Sequence, residues 1–213
     1  MIITISREFG SGGRELGKRL SDALGIPCYD KEIIRMIAEK QGFDEQYVSH
    51  VSEKSIQAAY PLTIGHRFTL TPNPVMKQAI AIEVEQKKVI ENFAIQGDCI
   101  IIGRCADVIL KEYHPFNLFV YADMEAKMKR CMERAPESEH LSPAQLRQKI
   151  QEVDRNRREH RAFYTDIDWG VSESFHLCMN TSGLEIKKVV PVLSEYIRLW
   201  FEAEKPMRQS DAR

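Results

Sequence analysis

Short apolar runs recur along the chain, and helix-patterned segments separate them. Four of the runs are strand-like: Ile2 to Ser6, Cys99 to Gly103, Asn117 to Ala122 and Phe175 to Met179. Such an alternation of strands and helices is typical of a parallel sheet that is covered by helices on both faces. The pattern therefore predicts an α/β protein.

The segments between the runs carry helix start and stop signals. The first helix is predicted from about Arg14 to Leu24, with Gly25 ending it. Asp30 is placed to cap a second helix, and a longer helix from about Val75 to Ile95 leads into the second strand. The stretch between these two helices contains prolines and is less regular, which predicts a mobile connection or a small cap.

The most polar helix is predicted to begin after Ser142, where Pro143 and Gln145 complete a capping box. It continues past Arg158, and apolar residues are sparse from Gln148 to Arg161. This composition predicts either a solvated surface helix or a lid that closes on an anion.

The last helix is predicted to open with a second capping box formed by Ser182 and Glu185. Pro191 should kink this helix before Trp200, and the tail after Lys205 is predicted to be disordered. No internal repeat interrupts the pattern, so we expect one domain with excursions.

The composition narrows the classes of function. The 213 residues include 30 basic side chains, yet the formal net charge is −1, so we expect no sequence-independent nucleic-acid footprint. No apolar stretch is long enough for a transmembrane helix, which predicts no membrane partner. The five cysteines form no CxxC pair and the opening residues lack a signal-peptide pattern, which predicts reduced thiols and a cytoplasmic protein.

A glycine-rich loop joins the first strand to the first helix. Residues 7 to 14 read Arg-Glu-Phe-Gly-Ser-Gly-Gly-Arg, and a strand, a glycine loop and a helix N-terminus together make a phosphate cradle. The P-loop pattern GxxxxGK[ST] is not met: aligned on Gly12, its first glycine is Arg7, its lysine is Gly13 and its Ser/Thr is Arg14. The alternative is a tight turn without a ligand.

Basic side chains follow the loop and the second strand. Arg14 and Lys18 lie on one face of the first helix, where they point toward a bound phosphate or are solvated charges. Arg104 lies just beyond a buried strand, where ligands of open α/β sheets bind, although it could also simply begin the next helix. Asp107, one turn later, either pairs with Arg104 or accepts from the amino group of a base.

A third basic cluster lies on the polar helix and contains Arg155, Arg157 and Arg158. Charge runs are usually solvated helix faces. On a segment with so few apolar residues, however, they also suit a lid whose arginines meet a transferring phosphoryl group.

The order of the motifs resembles that of the cytidylate kinase family. They are Ile-Thr-Ile-Ser, Gly10-Ser11-Gly12, Gly17-Lys18-Arg19-Leu20, Leu24-Gly25-Ile26-Pro27, Tyr29-Asp30, Gly103-Arg104, Asp154-Arg155-Asn156-Arg157 and Asn180-Thr181-Ser182-Gly183-Leu184. The opening Ser-Arg-Glu-Phe-Gly-Ser-Gly-Gly-Arg looks more closely like the cytidylate kinase-like branch. Each motif is weak alone, but the ordered set spans nearly the whole chain.

The resemblance implies a three-layer P-loop nucleoside monophosphate kinase fold. Its sheet would have five parallel strands, with helices on both faces and a helical lid. Within a single domain of residues 1–205, the monophosphate-binding insertion would cover about 30–95 and the lid about 136–169. Residues 206–213 would form the tail.

The resemblance also implies roles for particular residues. The ATP phosphates would lie on Phe9, Gly10, Ser11, Gly12, Gly13 and Arg14, with Lys18 nearby. The acceptor monophosphate would be bound by Asp30, Arg104 and Asp107. Arg14 and the lid arginines Arg155, Arg157 and Arg158 would act in catalysis. The family uses Mg²⁺ with ATP, but no metal ligand is assigned here, because Ile102 stands at the family's acidic position before the Gly-Arg pair.

The missing P-loop lysine leaves three functions open. The first is an ATP-dependent kinase of a pyrimidine nucleoside monophosphate, CMP or dCMP, in which Arg14 replaces the lysine. The second is a kinase with a different small-molecule acceptor, since one fold serves several chemistries. The third is a nucleotide-binding or sensing protein without turnover.

Overall fold

The computed structural model describes residues 1–53, 74–135 and 141–210 of the chain. Parts of the predicted insertion and of the predicted lid therefore lie outside the described residues, as do the last three residues of the tail. The final helix extends to Ser210, beyond the point at which the sequence predicts a disordered tail.

One five-stranded sheet forms the centre of the described structure. All neighbouring strands are parallel, and their order is β2-β3-β1-β4-β5. The strands are β1 (Ile2–Arg7), β2 (Cys28–Tyr29), β3 (Cys99–Ile102), β4 (Phe116–Tyr121) and β5 (Leu177–Asn180). The predicted fold class is therefore confirmed. β2 has only two residues, so no apolar run in the sequence predicts it.

Helices connect the strands and cover both faces of the sheet. They are α1 (Gly13–Leu24), α2 (Lys31–Gln41), α3 (Glu45–Glu53), α4 (Pro74–Gln96), α5 (Ala106–Ile109), α6 (Met124–Arg134), α7 (Pro143–Tyr164) and α8 (Ile186–Ser210). The predicted capping box at the start of α7 is present, with Ser142 and Gln145 bonding reciprocally.

The alternation of side chains along the central strands divides the core into two layers. Ile3 and Ile5 are fully buried in a cluster with residues of α1 and α8. The side chain of Ile101 in β3 points to the opposite face of the sheet, where it is buried in a second cluster with residues of α2, α3 and α4. Each buried aliphatic side chain contributes roughly 1.5–3 kcal/mol to folding. Helices thus cover both faces of the sheet. A ligand site can form at the carboxyl ends of its strands.

Two predicted caps are corrected by the structure. Asp30 precedes α2, but its carboxylate makes no cap hydrogen bond, because it pairs with Arg14 instead. Ser182 does not cap α8, which begins at Ile186; its hydroxyl accepts from the backbone N–H of Asp123 at 2.8 Å. In both cases a tertiary partner takes the oxygen that local pattern assigns to a helix end.

Candidate active site

The loop between β1 and α1 has a backbone that only glycine adopts readily. Gly10 and Gly12 have φ angles of 76° and 87°. A Cβ on Gly10 would also lie 3.0 Å from the carbonyl oxygen of Lys127, which belongs to the backbone of α6. The glycines therefore serve both the turn and its close packing on α6.

Some of the N–H groups of this loop are used within the protein. The N–H of Phe9 donates to a carboxylate oxygen of Asp154 at 2.6 Å, and that of Ser11 donates to the carbonyl of Glu8 at 3.3 Å. Ser11 is fully buried, and its hydroxyl also donates to the carbonyl of Glu8. Within the described parts of the chain, four other loop N–H groups donate to no protein acceptor: those of Gly10, Gly12, Gly13 and Arg14.

Two side chains fix the loop by bonding its carbonyl oxygens. Arg130 of α6 donates to the carbonyl of Gly10 at 3.2 Å and also to that of Thr181, which follows β5. The Thr181 hydroxyl donates to the carbonyl of Ser11 at 2.7 Å. With carbonyls occupied and N–H groups available at the N-terminus of α1, the loop has the donors of an anion site.

A cavity of about 700 Å³ opens between the loop, α6 and α7. Its size suits a small-molecule ligand. Six cations contribute to its lining: Arg7, Arg14, Arg130, Arg134, Lys149 and Arg157. Glu8 is the acidic residue among the described lining residues. This space is named the donor cavity after the predicted ATP site, and five of the residues predicted there line it: Phe9, Gly10, Gly12, Gly13 and Arg14.

A smaller recess of about 50 Å³, named the acceptor recess after the predicted role of Arg104, lies at the carboxyl ends of β1 and β3. Its basic lining residues are Arg7, Arg104, Arg157 and Arg161. Arg7 and Arg157 line both this acceptor recess and the donor cavity, so the two spaces adjoin at these two side chains.

Arg7 is a cation in an unfavourable position. Burial lowers the pKa of Arg7 well below its ordinary value, and the charges of Arg157, Arg104 and Arg14 lower it further, while Asp30 opposes them. The nearest oxygen of Asp30 is 3.8 Å from Nη2, too far for a strong hydrogen bond. An anion bound here would offset the clustered positive charge.

Arg104 enters the acceptor recess from a strained backbone. Its φ of 59° lies in the left-handed region, which non-glycine residues rarely adopt. Its guanidinium donates to the hydroxyl and the carbonyl of Ser52 at the end of α3, at 2.6 and 3.1 Å. The sequence-based placement of Arg104 beyond the carboxyl end of β3 is therefore matched by its position in the recess.

One wall of the recess is a network of buried polar side chains. His160 contacts the Cys105 thiol through Nδ1 at 3.5 Å and Glu83 through Nε2 at 3.2 Å. Tyr164 and Gln86 donate to the other oxygen of Glu83. Burial, and next the charge of Asp107, raises the pKa of the Cys105 thiol, so it stays protonated. The network thus gives the recess a rigid wall.

Asp107 does not pair with Arg104, which was one of its two predicted roles. It is buried, and its carboxylate forms an ion pair of 2.5 Å with Arg161 of α7. Its other oxygen lies 3.5 Å from the Ser6 hydroxyl. Asp107 therefore ties α7 to the end of β1, and Arg161 presents its charge beside the recess.

The other predicted cations occupy different places. Lys18, Arg155 and Arg158 are exposed and line neither cavity, and Arg158 lies over the Trp169 ring at 5.8 Å. Of the three predicted lid arginines, only Arg157 faces the cleft, with its guanidinium 5.9 Å from the centre of the Phe9 ring. Arg14 is more than half exposed and lies at the rim, with Nε 2.6 Å from Asp30.

Because the Arg14 side chain is 55% exposed at the rim of the cavity, we expect Arg14→Ala to lower turnover by less than about tenfold. Stability should change by less than about 1 kcal/mol. Steady-state assays and urea denaturation of the purified variant measure the two effects. A loss of turnover on the order of 10²-fold would instead make Arg14 the replacement for the P-loop lysine.

A buried ion cluster joins the loop to α6 and α7. Lys127 Nζ lies 2.6 Å from Glu8 and 3.0 Å from Asp154. The same two carboxylates accept from the backbone N–H groups of Ala122 and Phe9. Sequence reasoning missed Lys127, because nothing in a polar helix pattern shows which lysine is buried.

The sequence also did not single out Arg7, Arg130 and Arg134 as site residues. Arg130 and Arg134 are four residues apart in α6, the helix that follows β4, so their spacing alone could have placed them on one helix face. Arg7 had a signal too, since it replaces the first glycine of the P-loop pattern.

The residues around the cleft do not make a metal site by themselves. No cluster of three His, Cys, Asp or Glu side chains that could hold a metal occurs among the described residues. Glu8 reaches the donor cavity, but Lys127 and the N–H of Ala122 already contact its carboxylate. Mg²⁺ commonly binds through substrate phosphates and waters with only one or two carboxylates, so an ion bound together with ATP would not need such a cluster.

The parallel sheet with a glycine-rich loop after its central strand gives the chain the P-loop kinase fold. Two solved structures have the same fold. One is a protein from Eubacterium ventriosum ATCC 27560, with a TM-score of 0.66, 24% identity and coverage of 93% of this chain and 98% of that chain. The other is a shikimate kinase from Bacteroides thetaiotaomicron, with a TM-score of 0.55, 14% identity and the same coverage of 93% and 98%.

Residues 2–183 match the model of the cytidylate kinase-like family, and the chain belongs to that family. A relative named cytidylate kinase, from Pyrobaculum neutrophilum, is 23% identical over 198 residues, which cover 92% of each chain. In the described parts of the chain, no helix has both the length and the apolar character needed to span a bilayer.

Proposed function

We propose that the protein transfers the γ-phosphoryl group of ATP to a pyrimidine nucleoside monophosphate, CMP or dCMP. The observation that carries this proposal is the meeting of the donor cavity and the acceptor recess at Arg7 and Arg157. Phosphoryl transfer requires two phosphate groups in line and a concentration of positive charge between them. The basic side chains that line both spaces support such an arrangement.

The donor cavity provides the groups that would hold a triphosphate. The N–H groups of Gly12, Gly13 and Arg14 stand at the N-terminus of α1, where the helix dipole favours negative charge. Arg130 and Arg134 of α6 and Lys149 of α7 surround the remaining volume. The triphosphate of ATP therefore fits these N–H groups and basic side chains. Mg²⁺ bound with ATP would supply further neutralisation of the phosphate charge.

The acceptor recess is small and basic, so it suits the phosphate of the acceptor. Arg104 would bind that phosphate, and Asp30 would lie nearby, beyond β2. The pyrimidine assignment is supported by the family and by relatives named cytidylate kinase, such as that of Pyrobaculum neutrophilum.

Phosphoryl transfer needs little from the protein beyond the positioning of the reactants and electrostatic stabilisation. An oxygen of the acceptor phosphate attacks the γ-phosphorus of ATP. The bond from that phosphorus to the β–γ bridging oxygen breaks, and ADP leaves with the electron pair. Arg7 and Arg157 would face the charge that develops on the transferring group, and α7 would act as the lid that carries Arg157.

The test is ADP release by purified full-length protein with ATP, Mg²⁺ and a panel of acceptors. The panel contains CMP, dCMP, UMP, AMP, GMP and shikimate. We expect release with CMP or dCMP at a kcat/KM at least tenfold above that with any other acceptor. A different preferred acceptor would overturn the pyrimidine assignment. ATP binding without release for any acceptor would favour the second candidate, a nucleotide-binding protein, which the absence of a lysine at position 13 supports.

A further inference from the structure

The space beside the phosphate loop that a P-loop lysine would enter is already filled. Gly13 stands at the lysine position, and a Cβ built there would lie 2.6 Å from the Cβ of Arg7 and 3.1 Å from its Cγ. Both atoms are close to the backbone of Arg7 and cannot swing away as a side-chain tip can. A side chain at position 13 and the present path of Arg7 therefore exclude each other.

Arg7 itself occupies the first glycine position of the P-loop pattern. The usual arrangement of glycine first and lysine later is thus exchanged for arginine first and glycine later. The path of the Arg7 guanidinium also depends on Gly103, where a Cβ would lie 1.7 Å from Nη1. Two glycines on neighbouring segments make room for this one side chain.

We propose that Arg7 supplies, from the end of β1, the positive charge that a P-loop lysine supplies from the start of the first helix. Arg7 would contact the γ-phosphate of ATP as it passes from the donor cavity to the acceptor recess. The inference rests on the proposed function for the transfer step, but the contact with ATP can be measured without any acceptor.

The position and surroundings of Arg7 support this role. It lines both cavities, and its backbone carbonyl accepts from Arg157 at 3.0 Å, which places two guanidinium groups at the junction. Its carboxylate neighbour, Asp30, is bound closely by Arg14 at 2.6 Å and lies 3.8 Å from Arg7. A planar guanidinium with several donors can bind two phosphate oxygens at once.

Arg14 is the competing candidate, and its geometry is less suitable. It lies at the rim of the donor cavity, is 55% exposed and is absent from the lining of the acceptor recess. A cation that stabilises the transition state should face both the leaving and the accepting phosphates. Arg7 meets this condition and Arg14 does not.

The first test compares the binding of ATP and ADP to the wild type and to Arg7→Gln by calorimetry. Only ATP carries the γ-phosphate, so the variant should lose on the order of 10²-fold more affinity for ATP than for ADP. Its melting temperature without nucleotide should not fall, because the substitution removes a crowded cation. If Arg7 were purely structural, Arg7→Gln would instead lower the melting temperature and weaken the binding of both nucleotides equally. That result would overturn the proposal.

The second test restores the usual pattern in the double variant Arg7→Gly/Gly13→Lys. Glycine at position 7 removes the Cβ that clashes, so the lysine should fit and raise ATP turnover at least tenfold above that of Arg7→Gly alone. The matched control is Arg7→Ala/Gly13→Lys, which keeps the Cβ and should melt at a lower temperature than the first double variant. Equal melting temperatures of the two double variants would overturn the steric coupling.

These outcomes separate the inference from the proposed function. If the wild type phosphorylates no monophosphate but Arg7→Gln still loses its preference for ATP over ADP, the Arg7 contact stands and the proposed reaction fails. If the wild type is an active kinase and Arg7→Gln binds and turns over ATP normally, the reaction stands and the inference about Arg7 fails.

Discussion

Replacing Lys127 by methionine is expected to lower the free energy of unfolding by about 3–5 kcal/mol. Lys127 is buried and is contacted by the carboxylates of Glu8 and Asp154. Its removal leaves both carboxylates without their shared cation, and the Asp154 side chain is only 11% exposed. Breaking one member of a buried ion cluster costs far more than losing an exposed pair.

Urea denaturation measures this loss, and Lys129→Met is the matched control. Lys129 lies on the same helix but is exposed, so its replacement should change the unfolding free energy by less than about 0.5 kcal/mol. A loss of under about 1 kcal/mol for Lys127→Met would show that the cluster does not hold the loop to α6 and α7.

The second large effect concerns the acceptor. Arg104→Ala is expected to weaken binding of CMP by about 2–5 kcal/mol, because a charge pair in a small basic recess loses one partner. Titration calorimetry with CMP measures the change. Arg155→Ala is the matched control, since Arg155 is exposed and lines neither cavity.

The left-handed backbone at position 104 calls for a second variant. Alanine at a φ of 59° is strained, whereas glycine adopts this angle freely. Arg104→Gly should therefore keep the fold and show the same loss of CMP affinity. Unchanged affinity in this folded variant would remove Arg104 from the acceptor site.

The sequence predicts the sheet well because four of its strands carry apolar runs, of which β1, β3 and β4 are largely buried. Ile3, Ile5, Ile100 and Ile102 are fully buried, as their runs predict. The loop as an anion site is also predictable, since a strand, glycines and a helix start place N–H groups locally. The edge strand at Cys28–Tyr29 is too short to produce a pattern.

The spacing of residues in the sequence could not predict that Arg7 is the cation proposed to replace the P-loop lysine. Arg14 is the nearest cation in sequence to the missing lysine, but Asp30 draws it to the rim of the cavity. Whether Arg7 fills the space beside Gly13 depends on the path of its side chain past Gly103, which only tertiary structure fixes. The same holds for Asp154, which looks like part of a charge run yet bonds the N–H of Phe9.

We propose that the donor and acceptor phosphates meet at Arg7 and Arg157. The most direct measurement is a crystal structure of the full chain with CMP and an ATP analogue whose β–γ bridge is not hydrolysed. We expect the triphosphate on the N–H groups of Gly12, Gly13 and Arg14, its γ-phosphate within hydrogen-bond distance of Arg7, and the CMP phosphate beside Arg104. Nucleotide bound away from the loop, or two phosphates separated by more than a phosphoryl group can cross, would contradict the account.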